Sequence, residues 1–173
     1  MPNQFRHRYY CSFGANIDAR CHAEQVLTQL LERFSTVIVS SAIETAPVAI
    51  DTPNRFLNWL FILDTPLPPF ELKQLFNQIE TGEGRNRNAV NSKYRDRPAD
   101  LDIISIDLLP VGLESYLTPL WQQLTQGLVI DSAATLNLGE SQLSQRAATI
   151  HLDASSGHIR VVEHHPQRLP DGF

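Results

Sequence analysis

The spacing of apolar positions predicts short strands alternating with amphipathic helices. From Tyr9 to Phe13 an apolar and aromatic run ends at Gly14-Ala15-Asn16, which has the length and boundary of a buried strand entering a turn. Ala23, Val26, Leu27, Leu30, Leu31 and Phe34 recur at spacings of three and four, placing one apolar stripe along a helix. Val37–Ala42 follows as a β-branched strand. Residues Ala46–Asn54, with Pro47, Asp51 and Pro53, predict a loop, and Phe56–Asp64 predicts another buried strand, closed by Pro66, Pro68 and Pro69. Leu72, Leu75, Phe76 and Ile79 mark a second helix ending near Gly82 and Gly84. A polar stretch reaches Pro98, and Ala99–Ile106 is a strand. The order β-α-β-β-α-β predicts an α+β fold in which helices cover one face of a four-stranded sheet.

Beyond Asp107 the pattern thins. Leu113–Leu124 is spaced for a helix, Ala147–Asp153 and His158–Glu163 for a hairpin turning at Ser155-Ser156-Gly157, and HHPQRLPDGF for a terminal loop. A chain of 173 residues with 42% hydrophobic and 19% charged residues can bury one core, so a single domain over 1–173 is expected. The net charge of −5 argues against a general binder of nucleic acid or anionic membrane, and any polyanion must meet a local patch. Cys11 and Cys21 are expected to be free thiols. MPNQFRHRYY lacks an apolar signal core, and no stretch reaches the roughly 20 apolar residues of a membrane span. A soluble, cytoplasmic protein is expected.

Such a cationic patch lies in residues 85–97, where Arg85, Arg87, Lys93, Arg95 and Arg97 face a single Asp96. Guanidinium forks match phosphate oxygens, although charge runs are also common on solvated loops. Asp100 and Asp102 sit two apart in a strand and share a face. Their repulsion is relieved by protonation, by a cation, for which Mg²⁺ suits hard oxygen ligands, or by full hydration at an exposed strand start. Mg²⁺ on one or two carboxylates usually completes its shell with substrate phosphates, so arginines and aspartates together favour a nucleotide enzyme. No G-x-x-x-x-G-K-[ST] occurs, which excludes a P-loop. Asn58 interrupts an apolar strand; its amide fits either a heterocycle edge, with Phe56 stacking nearby, or neighbouring backbone. The cysteines and His164-His165 have no catalytic or zinc spacing.

From Tyr10 to Asp107 these residues resemble the 6-hydroxymethyl-7,8-dihydropterin pyrophosphokinase family. Phe13-Gly14-Ala15-Asn16 is similar to its first-strand G-[SA]-N turn, SAIETAP at Ser41–Pro47 to its pterin loop, and Phe56-Leu57-Asn58 to its [YF]-x-N strand. Ile79-Glu80 with Gly84-Arg85-Asn86-Arg87 is similar to I-E-x-x-x-G-R-x-R. Arg97-Pro98-Ala99-Asp100-Leu101-Asp102-Ile103 is similar to R-x-x-D-x-D-[IL], the most specific of these segments. The resemblance implies a ferredoxin-like βαββαβ sandwich with an antiparallel sheet, a motif-bearing core over 1–107 and a divergent extension over 108–173 that adds a helix and a hairpin.

It also implies transfer of pyrophosphate from Mg-ATP to the pterin hydroxymethyl group in folate biosynthesis, releasing AMP. Asp100 and Asp102 would bind two Mg²⁺; Arg85 and Arg97 would act with them in catalysis. Thr45, Pro47, Phe56 and Asn58 would hold the pterin, and Glu80, Arg87, Lys93 and Ile103 the nucleotide. The expected partners are these small molecules, with no nucleic acid or membrane. The family's later block, P-H followed by R-x-F-x-x-x-P-L, has no clear counterpart: Leu117-Thr118-Pro119-Leu120-Trp121 has proline without histidine, and Arg146 is isolated. The alternative is a catalytically weak relative that binds pterin or nucleotide as a regulatory module.

Overall fold

The computed structural model describes residues 5–86, 88, 96–167 and 169–170. Arg87, Lys93 and Arg95 of the cationic stretch lie outside them. The elements follow as β1 (His7–Ala15), α1 (Ala19–Phe34), β2 (Thr36–Val39), β3 (Ile43–Thr45), β4 (Phe56–Thr65), α2 (Pro69–Gly82) and β5 (Asp100–Ile106). After a 3₁₀ turn at Ser115–Leu117 come α3 (Thr118–Gln126), β6 (Leu136–Leu138), β7 (Ser141–Leu143), β8 (Ala148–Leu152) and β9 (Ile159–Glu163).

Period-two alternation builds a two-sided sheet. Tyr9, Cys11, Phe13 and Ala15 of β1 join Leu57, Trp59, Phe61 and Leu63 of β4 and Leu101 of β5 in the main core, where α1 contributes Ala23, Val26, Leu27, Leu30 and Leu31 and α2 contributes Leu72, Phe76 and Ile79. The other face holds Tyr10, Leu60, Ile62 and Ile38, covered by Leu117, Leu120 and Leu124 of the 3₁₀ turn and α3. The strand order β5-β1-β4-β2 is the antiparallel order of the βαββαβ sandwich.

Three expectations change. The β8–β9 hairpin forms as expected but continues the same sheet beyond β2, with Val37 opposite Ile150 and Val39 opposite Ala148. The predicted strand Val37–Ala42 is broken, because Ser40 inserts its hydroxyl into the ladder: the Leu60 amide donates to Ser40 Oγ at 2.8 Å. The chain resumes as β3 on β4. Gly14 and Ala15 are strand rather than turn, since β1 runs on to pair Ala15 with Leu57. A short hairpin, β6–β7, buries Leu136, Leu138 and Leu143 in the main core and was not visible in elements of three residues each. The terminal stretch is anchored by buried His164, whose Nε2 lies 2.8 Å from Thr149 Oγ1; burial lowers its imidazole pKa.

The outer edge of β5 is capped from α2. Lys73 Nζ donates to the Leu101 carbonyl at 3.1 Å, and the Leu101 amide donates to Glu80 Oε1 at 3.2 Å. Both cysteines are free, Cys11 buried and Cys21 exposed. Among the described residues no helix is long and apolar enough to cross a membrane.

Candidate active site

The second face of the sheet changes character along its strands. Its apolar half, with Tyr10, lies under α3; the other half carries small and polar residues, Ser12 and Gly14 along β1. Register aligns them across strands: Asp100, Gly14 and Asn58 form one row and Asp102, Ser12 and Leu60 the next. A cleft of about 190 Å³ opens over these rows. Ser12, Gly14, Phe56, Asn58, Asp100 and Asp102 form its floor, and Thr45 at the end of β3 with Ala46, Val48, Ala49 and Ile50 of the β3–β4 loop wall it. Tyr116 and Leu117 close it from the 3₁₀ turn, and Arg97 from the strand entry.

Gly14 is favoured by close quarters, not by a turn. A Cβ there would stand 3.0 Å from Asn58 Oδ1 and 3.8 Å from the Phe56 ring, inside the cleft. The Asn58 amide donates to Thr45 Oγ1 across the β3–β4 pair, which orients it in an almost buried position. Asn58 is therefore not simply bonded to backbone: its side chain is fixed by another side chain and faces the cleft. Pro47 does not line it.

The charged end begins at the close of α2. Gly84 takes φ +98, so the chain reverses and the Arg85 amide donates to the Glu80 carbonyl at 3.0 Å. The Arg85 guanidinium folds back with Nη1 2.8 Å from Glu80 Oε2 and 2.6 Å from Asp100 Oδ1. Arg97 Nη1 donates to Asp100 Oδ2 at 2.8 Å. Two arginines thus grip Asp100, one of them seated on the fully buried Glu80. Asp102 lies 3.8 Å from Lys73 Nζ with more than half of its side chain exposed; the desolvation it does undergo, and then the neighbouring Asp100, raise its carboxyl pKa.

Two carboxylates on one face of β5, both lining the cleft, provide the test of fit for a cation, since a positive ion relieves their mutual repulsion. Among the described residues no group of three or more His, Cys, Asp or Glu could hold a metal. An ion held by two carboxylates must complete its shell with water or bound phosphate, which matches the habit of Mg²⁺. The residues therefore fit.

Arg85, Arg97, Asp100 and Asp102 come together, as do Thr45, Phe56 and Asn58, and all but Arg85 line one cleft. Glu80 sits behind the cleft, holding Arg85 and β5. Ile103 faces the other way and packs on the main core. Tyr116 escaped sequence reasoning. Its phenol pKa is raised, first by burial and then by Glu114, Asp100 and Asp102. Its signal was an aromatic just before Pro119, in a stretch without further motif.

The family model for 7,8-dihydro-6-hydroxymethylpterin-pyrophosphokinase matches residues 10–155, extending well past the motif-bearing stretch. The chain is 34% identical over 113 residues to the 2-amino-4-hydroxy-6-hydroxymethyldihydropteridine pyrophosphokinase of Bacillus subtilis (strain 168), covering 64% of this chain and 66% of that one. A Porphyromonas gingivalis protein of the same name is 30% identical over 106 residues, 58% of this chain and 70% of its own. The mitochondrial folate synthesis bifunctional protein of Arabidopsis thaliana is 30% identical over 122 residues, which are 68% of this chain and 22% of that protein.

Proposed function

The chain belongs to the 7,8-dihydro-6-hydroxymethylpterin-pyrophosphokinase family, and from that premise we propose that it transfers the β,γ-pyrophosphoryl unit of ATP to the hydroxymethyl oxygen of 6-hydroxymethyl-7,8-dihydropterin. The observation that carries the reading is one row of the sheet: Asn58 and Asp100 flank Gly14, so a heterocycle-binding amide and a phosphate-side carboxylate open on a single cleft. In this step the hydroxymethyl oxygen gains a bond to the β-phosphorus and gives up its proton to solvent, and the α,β-bridging oxygen leaves with AMP. The relatives named as pyrophosphokinases favour this over a regulatory binding module.

On this reading Asn58, steadied by Thr45, meets the donor and acceptor edge of the pterin, and Phe56 and Tyr116 supply ring surface. Asp100 and Asp102 would hold Mg²⁺, two ions in our reading, which would neutralise phosphate charge as a Lewis acid. Arg85 and Arg97 keep the Asp100 carboxylate in place and bring guanidinium charge to the same corner, where charge-assisted bonds to phosphate are strong. Arg87 and Lys93 would add to it. Glu80 acts through Arg85, and Ile103 by shaping β5. The β3–β4 loop and the 3₁₀ turn narrow the cleft and limit water at the reacting centre. The whole chain serves as one catalytic domain.

The test is to incubate purified protein with Mg-ATP and 6-hydroxymethyl-7,8-dihydropterin and quantify AMP by chromatography, with the Asp100→Ala/Asp102→Ala double variant as the blank. Pterin-dependent AMP well above the blank is the expected result. Folded protein that yields none overturns the reading.

A further inference from the structure

Three segments distant in sequence meet at the carboxylate of Asp96. Its Oδ1 accepts from Asn16 Nδ2 at 2.7 Å, and its Oδ2 accepts from Asn54 Nδ2 at 2.8 Å. Asn16, almost buried at the end of β1, also exchanges bonds with the next residue: its Oδ1 accepts from the Arg97 amide at 2.6 Å, and its own amide donates to the Arg97 carbonyl at 2.9 Å. The Asn16 end of this junction is therefore rigid. Asn54, by contrast, is exposed and belongs to the loop whose Ala46, Val48, Ala49 and Ile50 wall the cleft. Asp96 thus ties that exposed loop wall to the strand entry from which Arg97 grips Asp100.

We propose that Asp96 is a positioning residue that latches the β3–β4 loop to the Arg97 strand entry, so that the pterin side and the phosphate side of the cleft are set as one unit and occupancy of one side raises affinity at the other. This rests on the function proposed above. The physical basis is linkage: a loop already ordered by one ligand costs less to order for the second, and the energy passes through whatever joins the two sides. A carboxylate taking one amide on each oxygen is such a joint, because each bond is charge-assisted and each belongs to a different wall.

The experiment uses the full chain as Asn54→Asp, Asp96→Asn and the Asn54→Asp/Asp96→Asn double variant. Asn54→Asp sets two carboxylates against each other. Asp96→Asn keeps an acceptor for Asn16, and the exposed Asn54 amide can turn so that its Oδ1 accepts from the new amide nitrogen; this variant removes the charge and keeps both contacts. The double variant restores an amide–carboxylate pair of reversed sense and keeps an acceptor for Asn16. Two readouts are taken: hydrogen exchange of the 46–55 amides without ligand, and the dissociation constant of the pterin with and without a Mg complex of α,β-methylene-ATP.

Asn54→Asp is expected to speed exchange in 46–55 about fivefold and to cut the nucleotide-induced gain in pterin affinity about fivefold, with recovery in the double variant and Asp96→Asn near wild type on both readouts. Unchanged exchange in Asn54→Asp, or a double variant no better than Asn54→Asp, overturns the latch. Faster exchange with an unaltered affinity gain overturns the coupling and leaves a structural contact. Wild-type protein that makes no pterin-dependent AMP overturns the proposed function, and the coupling with it. Exchange still decides the latch in that case.

Discussion

The two ends of the β5-β1-β4 strand trio carry similar side chains in opposite circumstances. At one end His7 Nδ1 lies 2.8 Å from Asp107 Oδ2, and Arg8 makes a fork to Asp64 with both bonds at 2.9 Å, all at the protein surface. At the other end Arg85 and Arg97 grip Asp100 above buried Glu80, beside a cleft. The carboxyls at the two ends of β5 respond differently. Hydrogen bonds from His7 and from the Arg8 amide lower the Asp107 pKa, whereas burial and the Asp100 charge raise that of Asp102. An ion pair in water fastens strand ends and contributes little. Charges gathered over a glycine and an amide, with one carboxyl left uncomfortable, are arranged for a ligand to complete.

The sharpest break of this comparison is activity. Asp100→Asn should lower pterin-dependent AMP formation at least about a hundredfold, as loss of a charge that acts in the transition state does, while Asp107→Asn stays within about twofold. Equal losses would erase the distinction between the two ends. Stability comes next. Glu80→Gln, which leaves a buried guanidinium short of a charge, should cost on the order of 3 kcal/mol in urea denaturation, and Arg8→Ala below about 1 kcal/mol.

A smaller effect separates the two ligands. Asn58→Ala should weaken pterin binding about tenfold, the worth of a good hydrogen bond to a ring edge, with ATP affinity nearly unchanged in calorimetry. Comparable losses for both ligands would remove Asn58 from the pterin side. The smallest effects are in pH dependence. Asp107 has a lowered folded pKa, so its stabilisation is present above the ordinary carboxylate pKa and is lost as pH falls through the folded value. Asp102 has a raised folded pKa, so its cost is present at neutral pH and disappears below the ordinary carboxylate pKa. Thermal scans should therefore show Asp107→Asn slightly less stable and Asp102→Asn slightly more stable at pH 7, the two differences fading in acid.

Local anomalies made half of the site legible. Asn58 stands out because it breaks an apolar strand, and Asp100 and Asp102 because carboxylates two apart in a strand share a face. Tyr116 and the Asp96 junction gave no such signal. Tyr116 lines the cleft only because α3 lies across the second face, and Asn16, Asn54 and Asp96 are 38 to 80 positions apart.

The same division holds for the fold. Periodicities of two and 3.6 residues are written in consecutive side chains, so the sequence alone determined the helices, most strands and the faces they bury. Pairing is a choice among distant partners, decided by which arrangement buries the most apolar surface with every backbone group bonded. That choice placed β8 against β2, broke Val37–Ala42 at Ser40 and set Gly14 as strand between Asp100 and Asn58. Residue types alone supplied the chemistry; tertiary structure decided that the amide, the carboxylates and the arginines share one cleft, because contacts between distant segments are fixed by packing of the whole chain.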